Sequence, residues 1–305
     1  MNIRNPMRCR IALVLALILA APAATAGLRV FACEPEWGAL VRELGGETVE
    51  VHVATTARQD PHRIEARPSL IARARSAELV VCTGAGLEAG WLPLVLAQSG
   101  NARIRAGQPG YFEAARYAVM REVPAAVDRA HGDVHAAGNP HLHLDPHNVT
   151  RVAAALGDRM AEIDRAQAAT YAARKEAFLV RWAAATADWE KQALPLKDLP
   201  VVVHHKDLSY LLAWLGMREV GTLEPRPGLP PTSAHLSDLL RSLRAKPGKA
   251  ILRSAHSDAR AAEWLSQRAG IPAIVLPYTV GGSEQATDLF KLFDDTLARL
   301  LALTR

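Results

Sequence analysis

Three histidines stand within seven residues of one short polar segment, in a chain that holds eleven histidines in all. They are His141, His143 and His147, inside the stretch from residue 138 to residue 148. Imidazole is the commonest side-chain ligand of zinc and related ions. This concentration suggests a metal site that combines the segment with distant parts of the chain.

Two further clusters carry histidine, at residues 60–62 and 204–205. His62 and His205 each follow an apolar run typical of a strand, and ligands of a parallel α/β sheet lie beyond the carboxyl ends of its strands. A proline precedes both His62 and His141, and its fixed φ angle lowers the entropy lost when a site becomes ordered. These three histidines are therefore the candidates for sharing one ion.

The other histidines have simpler or open interpretations. Lone histidines are usually surface or capping residues, which is the interpretation for His52, His235 and His256. His131 and His135 lie where the secondary-structure pattern weakens, between residues 108 and 138. They either capture metal transiently and pass it to the deeper site, or belong to an ordinary solvated loop.

Strands and helices alternate on both sides of one long helical segment. The predicted strands are residues 28–32, 48–54, 78–82, 201–203, 218–223, 250–253 and 273–276. Apolar strands separated by helices are typical of parallel sheets covered on both faces. Between the two groups, residues 165–194 favour a helix that would be about 45 Å long at 1.5 Å per residue. That length suits a rod between two lobes.

The predicted fold class is α/β, with two doubly wound parallel-sheet lobes joined by one long rigid helix and a metal site in the cleft between the lobes. Two lobes are expected because the chain beyond residue 26 is longer than a single hydrophobic core usually accommodates. We expect a signal peptide over residues 1–26, an N-terminal lobe over 27–147, a helical linker over 148–196 and a C-terminal lobe over 197–305.

The first 26 residues have the pattern of a secretory signal peptide. Three arginines precede an apolar run too short to span a membrane, and small residues lead to a cleavage site between Ala26 and Gly27. A soluble protein of the periplasm is therefore expected. Removing this segment lowers the formal charge from +5 to +2, and the absence of a basic stripe argues against a nucleic-acid partner.

Two cysteines remain beyond the signal peptide, Cys33 and Cys82. Each ends an apolar, strand-like run, and an exported protein permits disulfides. The two side chains either pair, if their strands are neighbours, or remain buried thiols. A metal role is less favoured because neither cysteine lies in a Cys-x-x-Cys pattern.

Five separated motifs, in the same order along the chain, resemble those of the periplasmic solute-binding proteins of zinc and manganese ABC transporters. Residues 60–62 with 68–69 are similar to a DPH…PS motif, and NPHLHLDPHN (139–148) is similar to NPHxWLDPxN. The other three are HHKDLSYLLAWLGM (204–217), EPRPGLPPTSAHL (224–236) and LPYTVGGSEQATDLFKLFD (276–294). The resemblance covers nearly the whole chain after the signal, and it implies two α/β lobes joined by a long helix.

The resemblance implies His62, His141 and His205 as ligands of a divalent ion. Zinc relatives place histidine at the third position and imidazole-rich sites suit zinc, so Zn²⁺ is expected ahead of Mn²⁺ or Cu²⁺. Glu65 and Asp145 are near enough in sequence to hold ligand imidazoles through their second nitrogens. No catalysis is implied. The expected partner is an ABC transporter membrane permease, with a periplasmic metallochaperone as a further candidate and a monomeric state.

One position departs from the family pattern. Relatives commonly supply an aspartate ligand just before a small-apolar-glycine turn, where this chain has Tyr278. A neutral phenol, with a pKa of about 10, is a poor zinc ligand. The fourth position is left open between Glu224, His143, His204 and water. For His143, packing under the loop is favoured over ligation because alternate residues of an extended segment point to opposite faces.

The alternative function is an exported zinc-dependent hydrolase that uses an open fourth coordination site. Three histidines and a water are also how catalytic zinc is held. The chain has no HExxH motif, however, and no glutamate stands in an evident general-base position. A transport receptor is therefore favoured.

Overall fold

Two four-stranded parallel sheets form the framework of the computed structural model, which describes residues 27–125 and 135–305. The strands of the first sheet are β1 (Leu28–Ala32), β2 (Val49–Val53), β3 (Leu79–Cys82) and β4 (Tyr111–Glu113). Those of the second are β5 (Pro200–Val203), β6 (Arg218–Thr222), β7 (Ala250–Ser254) and β8 (Ala273–Leu276). The orders are β2-β1-β3-β4 and β6-β5-β7-β8, with every pair parallel. The predicted fold class is confirmed.

Helices cover these sheets and connect them. They are α1 (Pro35–Gly45), α2 (Pro68–Ser76), α3 (Leu92–Ser99), α4 (Pro146–Ile163), α5 (Ala168–Gln192), α6 (Ser209–Leu215), α7 (Ser233–Ala245), α8 (Arg260–Ala269) and α9 (Leu289–Leu301). Side chains of Asp145, Thr232 and Asp288 cap α4, α7 and α9 by accepting backbone N–H bonds. Among the described residues, none of the helices has the length and apolar character needed to traverse a membrane.

The long helix α5 contacts both lobes. Its 25 residues span about 37 Å at 1.5 Å per residue, somewhat less than the sequence suggested. The rings of Trp182 and Trp189 pack on Phe293 of α9, with centroids 5.4 and 4.9 Å apart. On the other side, Arg174 Nε donates to the carbonyl of Glu43 in α1. The helix thus anchors the two sheets to a shared core.

Some element boundaries differ from those predicted. Strand β4 was not predicted because it has three residues inside a region rich in glycine and proline. Helix α9 begins at Leu289 rather than Glu284, because Asp288 caps it and the preceding residues form a turn closed by Ser283 Oγ. Helix α3 begins at Leu92, four residues later than expected.

Cys33 and Cys82 form a disulfide, which settles the alternative that the sequence left open. Cys33 directly follows β1 and Cys82 ends β3, and these strands are hydrogen-bonded neighbours. Both cysteines are fully buried. The bridge therefore joins the two central strands of the first sheet at their carboxyl ends.

Candidate metal centre

Three imidazoles from three separate segments meet between the lobes. His62 lies on the loop after β2, His141 directly precedes the turn into α4, and His205 follows β5. Ligand nitrogens from the three rings lie within 4.8 Å of one another. The ring centroids are 5.3 Å apart for His62 and His141, 6.0 Å for His62 and His205, and 5.5 Å for His141 and His205.

Carboxylates orient two of these rings. His62 Nδ1 lies 2.8 Å from Asp60 Oδ1, and His205 Nδ1 lies 2.7 Å from Glu224 Oε2. A carboxylate beside Nδ1 favours the tautomer that carries a proton there, which leaves the lone pair of Nε2 available to an ion. Glu224 is itself fixed, because Oε2 also accepts the backbone N–H of Gly228 at 2.8 Å.

A phenol orients the third ring. His141 Nδ1 lies 2.7 Å from the hydroxyl of Tyr278, with ring centroids 5.8 Å apart. Tyr278 is buried and has a φ of +66°, an unusual backbone conformation for a bulky residue. Burial raises the pKa of its hydroxyl well above the ordinary value, so the phenol stays neutral. Tyr278 therefore orients the imidazole of His141 and is not itself a suitable metal ligand.

His143 uses both of its nitrogens away from the triad. Its Nε2 donates to the carbonyl of Tyr278 at 2.9 Å, and its Nδ1 lies 3.2 Å from the carboxylate of Glu36 in α1. The hydroxyl of Thr279 donates to the same carboxylate at 2.5 Å. His143 and Glu36 are each 1% exposed. This buried network fastens the first lobe to the segment that carries Tyr278, as expected for a packing residue.

His204 points to a different environment from its neighbour His205. Its Nε2 is 3.9 Å from Glu224 Oε1, and its Nδ1 is buried without a hydrogen-bond partner among the described residues. Burial lowers the pKa of His204. None of His204, Glu224 and His143 contributes an atom to the group that converges within 4.8 Å. Both nitrogens of His143 and the Oε2 atom of Glu224 are engaged by other residues.

The surroundings shift the pKa values of His141 and His205 in opposite directions. Burial, reinforced by the nearby His62 and His205, lowers the pKa of His141 well below its ordinary value. At His205, burial lowers the pKa, but the hydrogen bond to Glu224 and the charge of Asp207 outweigh it and raise the pKa overall. Since only a deprotonated imidazole binds a metal, acid would block His205 before His141.

An open cavity of about 630 Å³ reaches the triad from the second lobe. The second-lobe residues that line it are His204, His205, Glu224, Gly228, Pro230, Pro231, Ser233, Leu236, His256, Ser257, Asp258, Arg260, Ala261 and Trp264. His256 packs its ring against Tyr278, with centroids 5.1 Å apart. The triad is thus accessible to a small ion while remaining mostly enclosed.

The partners proposed from the sequence differ from those observed. Glu65 is exposed, and Asp145 caps α4 by accepting the N–H of His147. Expecting these two to hold the imidazoles was wrong, since Asp60, Glu224 and Tyr278 occupy those positions. The last two are distant in sequence from the histidines they contact, so proximity along the chain was a poor guide.

The two loop histidines have different outcomes. His131 lies outside the described residues. His135 stands beside the triad, with its Nε2 atom 3.3 Å from His62 Nε2 and the two ring centroids 5.3 Å apart. The sequence left His135 open between metal capture and an ordinary solvated loop, and its position beside His62 is compatible with the first alternative.

Two parallel-sheet lobes, a long connecting helix and histidines converging between them define a two-lobed protein with a candidate metal site in its cleft. A family model described as the periplasmic component A of the zinc-uptake complex matches residues 30–302. The chain therefore belongs to that family, which confirms the resemblance seen in its motifs.

Individual relatives support the same assignment. The high-affinity zinc uptake system protein ZnuA of Brucella abortus is 30% identical over 108 residues, which is 34% of this chain and 32% of the relative. The match thus spans about a third of that protein's length. A crystal structure of ZnuA has a TM-score of 0.74 at 19% identity, covering 90% of this chain and 99% of the other. The solute-binding protein FpvC from P. aeruginosa, in complex with Ni²⁺, has a TM-score of 0.69 at 20% identity, with 92% and 96% covered. At these identities the two structures establish the shared fold.

Proposed function

We propose that this protein captures a divalent transition metal in the periplasm and delivers it to the membrane permease of an ABC importer. His62, His141 and His205 would bind the ion through Nε2. The observation that carries the proposal is that each imidazole has its Nδ1 fixed by a separate hydrogen-bond partner while the rings converge. Fixed tautomers and orientations preorganise a site before the ion arrives.

Zinc is the proposed cargo. Three imidazoles are borderline-soft ligands that suit zinc, whereas Mn²⁺ prefers oxygen. Copper binds nitrogen sites more tightly by intrinsic affinity, so selection of zinc would depend on geometry and on which ions are available. FpvC, which shares the fold, is in complex with Ni²⁺, so nickel is included among the competing ions below.

The chemistry of capture requires no reaction step. The hydrated ion would exchange water ligands for the nitrogens of neutral imidazoles, and any imidazolium present would release its proton to solvent as the ion binds. A hydrolase would need a carboxylate free to act as a base beside a metal-bound water. Asp60 and Glu224, which lie closest to the triad rings, are instead hydrogen-bonded to His62 and His205. This favours transport over the hydrolase alternative.

Metal analysis tests the proposal directly. Purified protein is loaded with zinc, and its stoichiometry and affinity are measured in competition with Mn²⁺, Cu²⁺ and Ni²⁺. We expect one tightly bound zinc per chain, a large loss of affinity on replacing any of the three histidines by alanine, and no loss for His147→Ala. His147 is exposed and pairs with Glu190, so it controls for removal of a histidine.

Two further measurements separate the functions. Zinc-limited growth of cells lacking the protein should be restored by the wild type and not by His205→Ala. Esterase and phosphatase assays of the zinc-loaded protein should show no turnover above free zinc. Zinc-dependent turnover that disappears in His205→Ala would favour the hydrolase instead, and unchanged zinc binding in all three variants would contradict the proposed site.

A further inference from the structure

The distance between two imidazole nitrogens indicates a fourth metal-binding residue. His135 Nε2 lies 3.3 Å from His62 Nε2. Two nitrogens bound at about 2.0–2.1 Å to one tetrahedral zinc ion are separated by about 3.3–3.4 Å. The two atoms therefore have the spacing of neighbouring ligands on one ion.

His135 also borders the other members of the triad. It lines a cavity of about 180 Å³ together with His141 and His205. Its charge would depress the pKa of His141, so the two rings are within electrostatic reach. His135 therefore contacts His62 and shares the small cavity with His141 and His205. It lies outside the group of atoms that converge within 4.8 Å, so joining the same ion requires its ring to move closer.

The backbone links His135 to the turn that positions His141. The carbonyl of His135 accepts the N–H of Gly138 at 3.0 Å, and Gly138 has a φ of +102°, which favours glycine. Asn139, the next residue, is fixed by its N–H bond to the carbonyl of Arg121 at 2.8 Å. One anchored turn thus carries both histidines into the site.

A glycine of the first lobe makes room for the ring. A Cβ atom on Gly86 would lie 3.2 Å from His135 Nδ1, tighter than an ordinary contact. Gly86 has a φ of +88°, so its backbone also favours glycine. The close approach of this backbone helps to define where the His135 ring lies.

We propose that His135 Nε2 is the fourth ligand, which makes the centre a four-imidazole site. This rests on the proposed function of the triad. The imidazole replaces the carboxylate ligand that the sequence lacks at Tyr278, whose hydroxyl is engaged with His141. Four protein ligands close the coordination sphere and leave no position for a reactive water, as in zinc sites that do not catalyse.

Cobalt substitution tests the proposal, because tetrahedral Co²⁺ has visible absorption that changes when an added anion becomes a ligand. In the wild-type protein, azide should leave the Co²⁺ spectrum unchanged, since four imidazoles fill the sphere. In His135→Ala, azide should shift the spectrum, and zinc affinity should fall at least about tenfold, the lower bound for losing even an outer partner of a ligand. His147→Ala should behave as the wild type.

The outcomes separate the fourth ligand from the triad. If azide shifted the Co²⁺ spectrum of the wild-type protein, His135 would not be the fourth ligand, while the triad would still stand. This measurement uses the wild-type protein alone. Zinc affinity and azide response unchanged in His135→Ala would overturn it as well. Failure of the wild type to bind Co²⁺ and zinc at all would overturn the triad and, with it, the fourth ligand.

Discussion

The two sheets share one strand order but place different chemistry at equivalent strand ends. In the first lobe, the central strands β1 and β3 end in the Cys33–Cys82 disulfide. In the second lobe, the central strand β5 leads directly into His204 and His205. The first lobe instead contributes its histidines from the loop after β2 and from the segment before α4. One topology thus supports a covalently locked edge opposite an edge that carries a candidate ligand.

The buried ionisable groups at the two edges also differ. Glu34 and Glu88 lie buried beside the disulfide, where burial raises the pKa of both carboxyls, that of Glu88 to about 7. At the second edge, burial lowers the pKa of His204 and His256. The first lobe therefore has a covalent cross-link at the ends of its central strands, whereas the second lobe has at the equivalent strand end a candidate ligand, His205, held by a hydrogen bond to Glu224.

Removing the disulfide should have the largest effect, and on stability only. The bridge closes a loop of 49 residues, for which chain entropy predicts about 4 kcal/mol of stabilisation. We expect the double replacement Cys33→Ala and Cys82→Ala to lower the free energy of unfolding by roughly that amount, measured by denaturant titration of the metal-free protein. Zinc affinity of the folded protein should change little. If zinc affinity fell by as much free energy as stability did, the disulfide would not be independent of the candidate metal site.

Replacing the second lobe's ligand should give the converse result. Structural zinc sites bind with about 10–16 kcal/mol, or about 3 kcal/mol for each of four ligands, so His205→Ala should weaken zinc binding about 100-fold. The metal-free variant should unfold at nearly the same denaturant concentration as the wild type. Competition with a fluorescent chelator measures the affinity. The matched first-lobe variant, His62→Ala, should lose a similar factor, and a tenfold difference between them would show that the lobes contribute unequally.

The carboxylate partners should have smaller effects. Loss of a group that orients a ligand typically costs 10–100-fold in affinity. We expect both replacements to cost less than His205→Ala, and Glu224→Gln to cost more than Asp60→Asn, because the side chain of Glu224 is 14% exposed and that of Asp60 is 39% exposed. Isothermal titration with zinc at constant pH distinguishes them. An equal cost at both sites would indicate that burial of the partner does not matter.

The smallest expected effects concern how stability depends on pH. Glu88 at the first sheet's edge and His204 at the second sheet's edge should contribute opposite trends. A raised pKa at Glu88 means that stability is lost as pH rises from the unfolded value near 4.5 towards about 7, so Glu88→Gln should improve relative to wild type over that range. A lowered pKa at His204 means that stability is lost as pH falls below 6.5, so His204→Gln should improve relative to wild type in acid.

Denaturant titrations of the metal-free proteins between pH 5 and pH 8 measure these trends. The slope for a single group is at most about 1.4 kcal/mol per pH unit. If the stabilities of Glu88→Gln and His204→Gln, relative to the wild type, changed with pH in the same direction, the two edges would not differ in their electrostatics.

The framework of the fold was predictable because its signals are local. The central strands β3 and β5 are continuous apolar runs, and capping residues such as Thr232 mark helix starts. The short strand β4 was missed because three residues cannot show a period. The triad positions were predictable from histidines at strand ends and beside proline, since the topology brings those ends to one edge.

The surroundings of the triad were not predictable in the same way. Tyr278 reaches His141 across 137 residues of chain, through a left-handed backbone conformation that its residue type disfavours. Both nitrogens of His143 are consumed by Glu36 and a carbonyl, and no local pattern encodes such a pairing. His135 lies in a segment of weak periodicity. These contacts depend on how the lobes pack, and only the assembled fold reveals them.

The central claim is that imidazoles from both lobes bind one ion. Crystals of the zinc-loaded protein, measured on both sides of the zinc absorption edge, would locate the metal by its anomalous scattering. The account predicts one strong peak about 2.0–2.1 Å from the Nε2 atoms of His62, His141 and His205. A peak bound elsewhere, or no peak between these three rings in protein that contains stoichiometric zinc, would contradict it.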